Sequence, residues 1–399
     1  MNKKELWLQN LKIHYIWTFF SSFVFLWPII SLYYLHYNLD IGDIIFLWAL
    51  YKIFLFVLEI PTSTIWDTWS KSKTMLLSAI SSFFSVILYL LFPTYSVFIL
   101  AVFFSALAQA FWSWTGHAKL EEDLNFAWKK DDFTKVLGQL IALLRLWTLL
   151  TPIFIFYILK NFDNWYQILA FVDVIIWWIV LFFVAKFKDL ETKNYKDLSW
   201  WIKKNFLIQK DTLKESFKFL KENKKLSLFL ILILLWTDWG LLAITYLPII
   251  VDINSIEDYF SSFFTLWVTI SSIIWGILAH KISKKFWNNL VIAILFILLW
   301  IWHILISFFN DNIYILTWII ILSTFVSVVV FTLWNGVLVK LTQKTQKSTV
   351  RSIFLSIISI YWFLILFFLS KLNINLAFLI IGIIIIFSWI MFLFLRKKI

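Results

Sequence analysis

The chain has 399 residues, of which 62% are hydrophobic and only 15% charged, and its mean hydropathy is +0.87. No soluble domain of this length hides so much apolar surface, so the composition specifies a polytopic membrane protein. Cysteine is absent, which excludes disulfides, thiolate catalysis and cysteine-based metal or haem sites, and the net charge of +12 is spread in a way that argues against nucleic acid as a partner.

Apolar stretches long enough to span a bilayer, ~20 residues each, lie near 13–36, 43–65, 74–92, 95–116, 136–159, 164–186, 226–250, 259–280, 287–309, 312–335, 350–371 and 374–395. They predict an all-α membrane protein of twelve transmembrane helices in two six-helix halves. The first stretch follows a basic N-terminus as a signal peptide would. Its apolar run is too long for that and no A-x-A site follows, so it reads as a retained helix.

Orientation follows from the basic residues. Lys160 and Lys371 fall in the loops of one side, and Lys52 and Arg145 fall within spans; every other Lys and Arg lies at a terminus, in a loop of the opposite side or at its edge. The positive-inside rule then puts both termini in the cytoplasm of a multi-pass inner-membrane protein. The longest loop, 187–225, separates an N-terminal bundle (1–186) from a C-terminal bundle (226–399). It contains an amphipathic pattern with Leu213, Phe217 and Leu220 on one face and lysines on the other, started by a Thr212/Glu215 capping box.

Two junctions carry motifs. Between spans 2 and 3 the chain reads Glu59-Ile-Pro61-Thr62, then Asp67, Lys71 and Lys73; span 4 ends Ser113-Trp114-Thr115-Gly116-His117-Ala118, then Asp123-Leu124. The first resembles the E-x-P-T-G-x-x-A-D-x-x-G-R-K loop of one branch of the major facilitator superfamily, matching at Glu59, Pro61, Thr62, Asp67, Lys71 and Lys73. The second resembles S-G-T-x-E-A-x-x-x-D-x-L of the same branch, with His117 in place of the acid. The resemblance covers essentially the whole chain. It implies a secondary transporter working by alternating access, with Glu59, Pro61, Asp67, Lys71 and Lys73 as a conformational latch and Ser113, Thr115, His117 and Asp123 as the helix-4 motif. Gly138, Trp147 and Pro152 bear a weaker likeness to an antiporter motif of the superfamily, and a proline kink is the simpler reading of that segment.

The chain has 26 Trp and only 7 Gly, whereas ordinary composition gives about 28 Gly at this length. Trp66, Trp69, Trp114, Trp147, Trp275 and Trp287 stand where a tight turn or close backbone approach is expected, and Trp147, Trp177 and Trp236 lie well inside apolar segments rather than at helix ends. An indole cannot replace glycine at a helix crossing. The pattern fits a gene whose UGA codons specify Gly but are read as Trp; the alternative is a protein with unusually rich aromatic belts.

Arg145, Asp173 and Asp238 lie near the centres of their spans. A charge there costs ~2.5–3.5 kcal/mol on insertion scales, so each should face a partner or a wet cavity. Asp173 and Asp238 are candidates for proton coupling, and an Arg145–Asp173 pair is the structural alternative; Asp238 is the better carrier if Arg145 holds Asp173 ionised. Five histidines show no metal-ligand spacing and no phosphate-binding Gly-rich loop is present, so neither a metal nor another cofactor is expected. The expected partners are a small-molecule substrate, protons and the lipid bilayer, with the chain a monomer. Proton-coupled export is the first reading and nutrient uptake the second. A membrane enzyme acting on lipid is the rival of a different class, and it would need Glu121, Glu122 and Asp123 to converge on one lipid-accessible groove.

Overall fold

The computed structural model describes residues 3–68, 70–126, 133–189 and 347–372, with short stretches and single positions between 218 and 383. Every element in the described regions is helical: α1 (Lys3–Ser21), a single 3-10 turn (Trp27–Ile29), α2 (Ile30–His36), α3 (Ile41–Thr68), α4 (Lys71–Leu91), α5 (Tyr95–Phe126), α6 (Phe133–Asn161), α7 (Trp165–Val184) and α8 (Lys347–Leu369). Five apolar windows among them are long enough to cross a membrane: Ile41–Glu59, Lys71–Leu91, Tyr95–Trp112, Ala142–Asn161 and Trp165–Val184. They coincide with expected spans 2 to 6, and α8 covers expected span 11. Of span 8, residues 259–263, 265–267, 269–270 and 273–274 are described, helical from 260 onward; span 10, nearly all of spans 7, 9 and 12 and nearly all of the linker lie outside the described residues, as does Asp238.

The first span departs from the continuous stretch expected over 13–36. Helix α1 stops at Ser21, the backbone leaves helical geometry over residues 22–26, and helix resumes only at the 3-10 turn. The cause is local. Ser22 donates its hydroxyl back to the Thr18 carbonyl, a bond that bends helices. Pro28 lacks the N–H that would close a continuous helix onto the Val24 carbonyl. Hydropathy is blind to both.

The chain divides into two compact units, Met1–Pro28 with Leu47–Asp211, and Ile29–Phe46 with Thr212–Ile399. In the first, α4 packs along α5 and α7, and α1 against α5, α6 and α7. Small residues draw α4 and α5 together. Ser78 donates to the Ala108 carbonyl (2.8 Å), and Ser85 to the Ala101 carbonyl (2.9 Å) with Ser105 Oγ at 2.7 Å. Ser78 and Ser85, like Ala101 and Ala108, are one face repeat apart, the small-residue packing by which membrane helices approach closely. Helix α4 is capped by Ser70, whose Oγ accepts from Lys73 N at 3.1 Å, and Pro93 follows its end. In the second unit the start of α3 lies against the end of α8: a Cβ on Gly42 would fall 2.7 Å from the Ser370 carbonyl oxygen, and Phe46 meets Phe367 at 6.2 Å. Asn38 turns the chain between α2 and α3 at φ 60, a conformation that Asn tolerates.

Candidate functional site

Helix α5 continues 14 residues past its apolar window, from Trp112 to Phe126. That extension carries Lys119 and Asp123, four apart and so on one face. Helix α1 presents Asn10 and His14 at the same spacing. The two faces meet. Asp123 accepts from Lys119 Nζ at 2.5 Å and Asn10 Nδ2 at 2.9 Å, and lies 3.1 Å from His14 Nε2. Lys119 and Asp123 are both 0% exposed, so their charges neutralise each other in a place closed to water. Asn10 also grips the chain leaving α7: its Nδ2 donates to the Lys188 carbonyl at 2.8 Å, and its Oδ1 accepts from Lys188 N at 3.2 Å. The Phe187 ring covers the cluster, edge-on to His14 at 5.0 Å and 5.9 Å from Lys119 Nζ.

A second polar group holds the junction of α3 and α4. The Asp189 carboxylate accepts from Ser70 Oγ and, at 3.1 Å, from Ser72 N, so an acid that follows α7 sits on the N-terminus of α4. Free N–H groups and the helix dipole favour a negative charge there. Lys71 pairs with Glu122 of α5. Thr62 Oγ1 bridges α3 to α5 through the Ala110 carbonyl at 3.3 Å, next to the buried Glu59. The sequence motif marked this junction by Asp67, Lys71 and Lys73. The structure ties it to α5 through Lys71, and to the chain after α7 through an acid that no motif announced. Lys73 is exposed, while the side chains of Pro61 and Asp67 lie outside the described residues.

The third polar site is in mid-span. Asp173, the ninth residue of α7, is 1% exposed. Its two oxygens accept from the backbone amides of Phe25 (2.9 Å) and Leu26 (3.0 Å), both within the break in the first span. A buried carboxylate thus finds its donors in backbone that has left the helix, which is how irregular backbone at membrane depth becomes tolerable. Arg145, the partner expected from sequence, lies on α6, but its side chain is outside the described residues, as are those of Ser113, His117 and Trp147. Thr115 is fully buried, its Oγ1 without a hydrogen-bond partner among the described residues. No group of His, Asp and Glu among the described residues is arranged to hold a metal ion.

The three consecutive acids of α5 diverge. Glu121 is exposed, Glu122 turns to Lys71, and Asp123 is sealed against α1. The groove that a lipid-modifying enzyme would need does not form from them. What the described helices build is a membrane bundle with buried, paired charges. The Major Facilitator Superfamily model matches residues 15–366, and the chain belongs to that family. It is a transporter and not an enzyme. Solved structures share the fold at low identity. The nucleoside transporter NupG superposes with a TM-score of 0.72 at 12% identity, covering 100% of both chains. The POT family transporter PepTSo gives 0.73 at 13%, covering 98% of this chain and 97% of its own. A D-xylose-proton symporter gives 0.67 at 10%, covering 97% and 96%. No curated protein matches the sequence significantly.

Proposed function

We propose that this protein is a proton-coupled secondary transporter that exports a small, amphipathic compound by alternating access, as a monomer in the inner membrane with both termini in the cytoplasm. The observation that carries the coupling is the presence of acids inside the spans of a chain of this family. Asp173 lies in the sixth span and Asp238 in the expected seventh, one in each half of the sequence. An intramembrane carboxylate exposed in turn to each side can take up a proton on one face and release it on the other. Asp238 is the carrier in this reading, because Asp173 is already engaged by two backbone donors. The latch is the α3–α4 junction, where Asp67 and Lys73 act with the Lys71–Glu122 pair.

Uptake of a nutrient by symport is the second reading, favoured by the fold shared with the D-xylose-proton symporter. Proteoliposomes carrying an imposed pH gradient, screened with nucleosides, pentoses, short peptides and amphipathic cations, separate the two. Compound moving against the proton flow supports export, and compound moving with it supports uptake. Movement indifferent to the gradient would refute proton coupling in either direction.

A further inference from the structure

The break in the first span and the carboxylate of Asp173 form one device. The break occupies residues 22–26, the middle of the apolar stretch 13–36, and Asp173 lies at the middle of Trp165–Val184. In an uninterrupted helix the amides of Phe25 and Leu26 would donate to the carbonyls of Ser21 and Ser22, four residues back. Here they donate to Asp173 instead, at 2.9 and 3.0 Å. Breaking and healing the span therefore exchange two bonds to a carboxylate for two bonds to carbonyls, and healing takes both backbone donors from Asp173. Pro28 weakens the healed form, because it would leave the Val24 carbonyl without its helical donor. Two arrangements of one segment, separated by a discrete switch of hydrogen-bond partner, are what a bistable joint requires.

We propose that Asp173 is a positioning residue for transport: its carboxylate holds the first span open at mid-membrane, and release of that clasp lets the span close into a continuous helix. On the transport reading above, this is how α7 and the first span move together during the cycle. Asp173 then acts through backbone geometry, and carrying the proton is left to another acid.

The test is hydrogen–deuterium exchange by mass spectrometry on the full chain in lipid nanodiscs, without substrate, read at peptides covering residues 22–28. It is independent of whether any compound is transported, so its failure and the failure of the transport reading are separate results. Asp173→Ala should slow exchange of that segment several-fold as the helix closes, with α4 and α5 unchanged. Pro28→Ala, which keeps the acid but strengthens the continuous helix, should slow it in the same direction and guards against misfolding of the first variant. Asp173→Glu should keep the wild-type rate. Unchanged exchange in Pro28→Ala and Asp173→Ala would overturn the proposal, and so would faster exchange in both, which would mean the amides are merely uncovered.

Discussion

At the scale of single residues, the Lys119–Asp123 pair is the most consequential contact in the described part of the molecule. Both groups are sealed from water. Removing one member of a buried pair leaves an uncompensated charge and costs about 3–5 kcal/mol, whereas replacing both by apolar groups of similar volume is often close to neutral. Asp123→Ala should therefore lower the stability of the detergent-solubilised protein by about that amount in thermal unfolding, and the double variant Lys119→Met, Asp123→Leu should recover most of it. A single variant within about 1 kcal/mol of wild type would mean that the cluster is wet. The tryptophans raise a different question at the same scale. Trp17 stacks on Trp112 at 4.7 Å and meets Trp177 edge-on at 6.1 Å, so three helices converge where three indoles do. A Cβ on Gly116 would already lie 2.8 Å from the Trp112 ring. Convergence points of membrane helices are where small residues are expected. Mass spectrometry of native peptides should find glycine mass at positions 66, 114 and 147; tryptophan mass there would establish aromatic belts instead.

At the scale of elements, spans 2 to 6 were legible because each is a long apolar run ended by turn chemistry, such as Pro93 after α4 or Asp163-Asn164 before α7. The first span was not, because its apolar run continues through the break; only Ser22 and the Trp27-Pro28 step announce it. Of the polar sites, Asp123 and Lys71 stand out in sequence through motif spacing. Asn10 and His14 reach Asp123 across 113 and 109 residues, and Asp189 reaches Ser70 across 119; no local pattern encodes such pairings. The approach of α3 to α8 has its own signal in Gly42, whose missing Cβ leaves room for the Ser370 carbonyl. Gly42→Val should disrupt that contact at a cost of about 1–3 kcal/mol, in the range of overpacking effects, and lower the thermal midpoint accordingly. Gly42→Ala should do so less. An unchanged midpoint in the valine variant would show that the two helices separate without cost.

At the scale of the whole molecule, the fold and the family define a transporter, and three acids of its first unit make hydrogen bonds that join separate elements. Asp123 binds α1 to α5, Asp189 secures the start of α4, and Asp173 secures the first span. On the function proposed above, Asp238 is the mid-span acid assigned to coupling. If it carries the proton, its neutralisation should separate two activities that the wild type performs together. The decisive measurement compares wild type and Asp238→Asn in proteoliposomes, using the panel compound that the wild type accumulates or extrudes most strongly under a pH gradient. The account predicts that Asp238→Asn loses gradient-driven transport while compound-for-compound exchange at equal pH persists. Gradient-driven transport that survives in Asp238→Asn would contradict it.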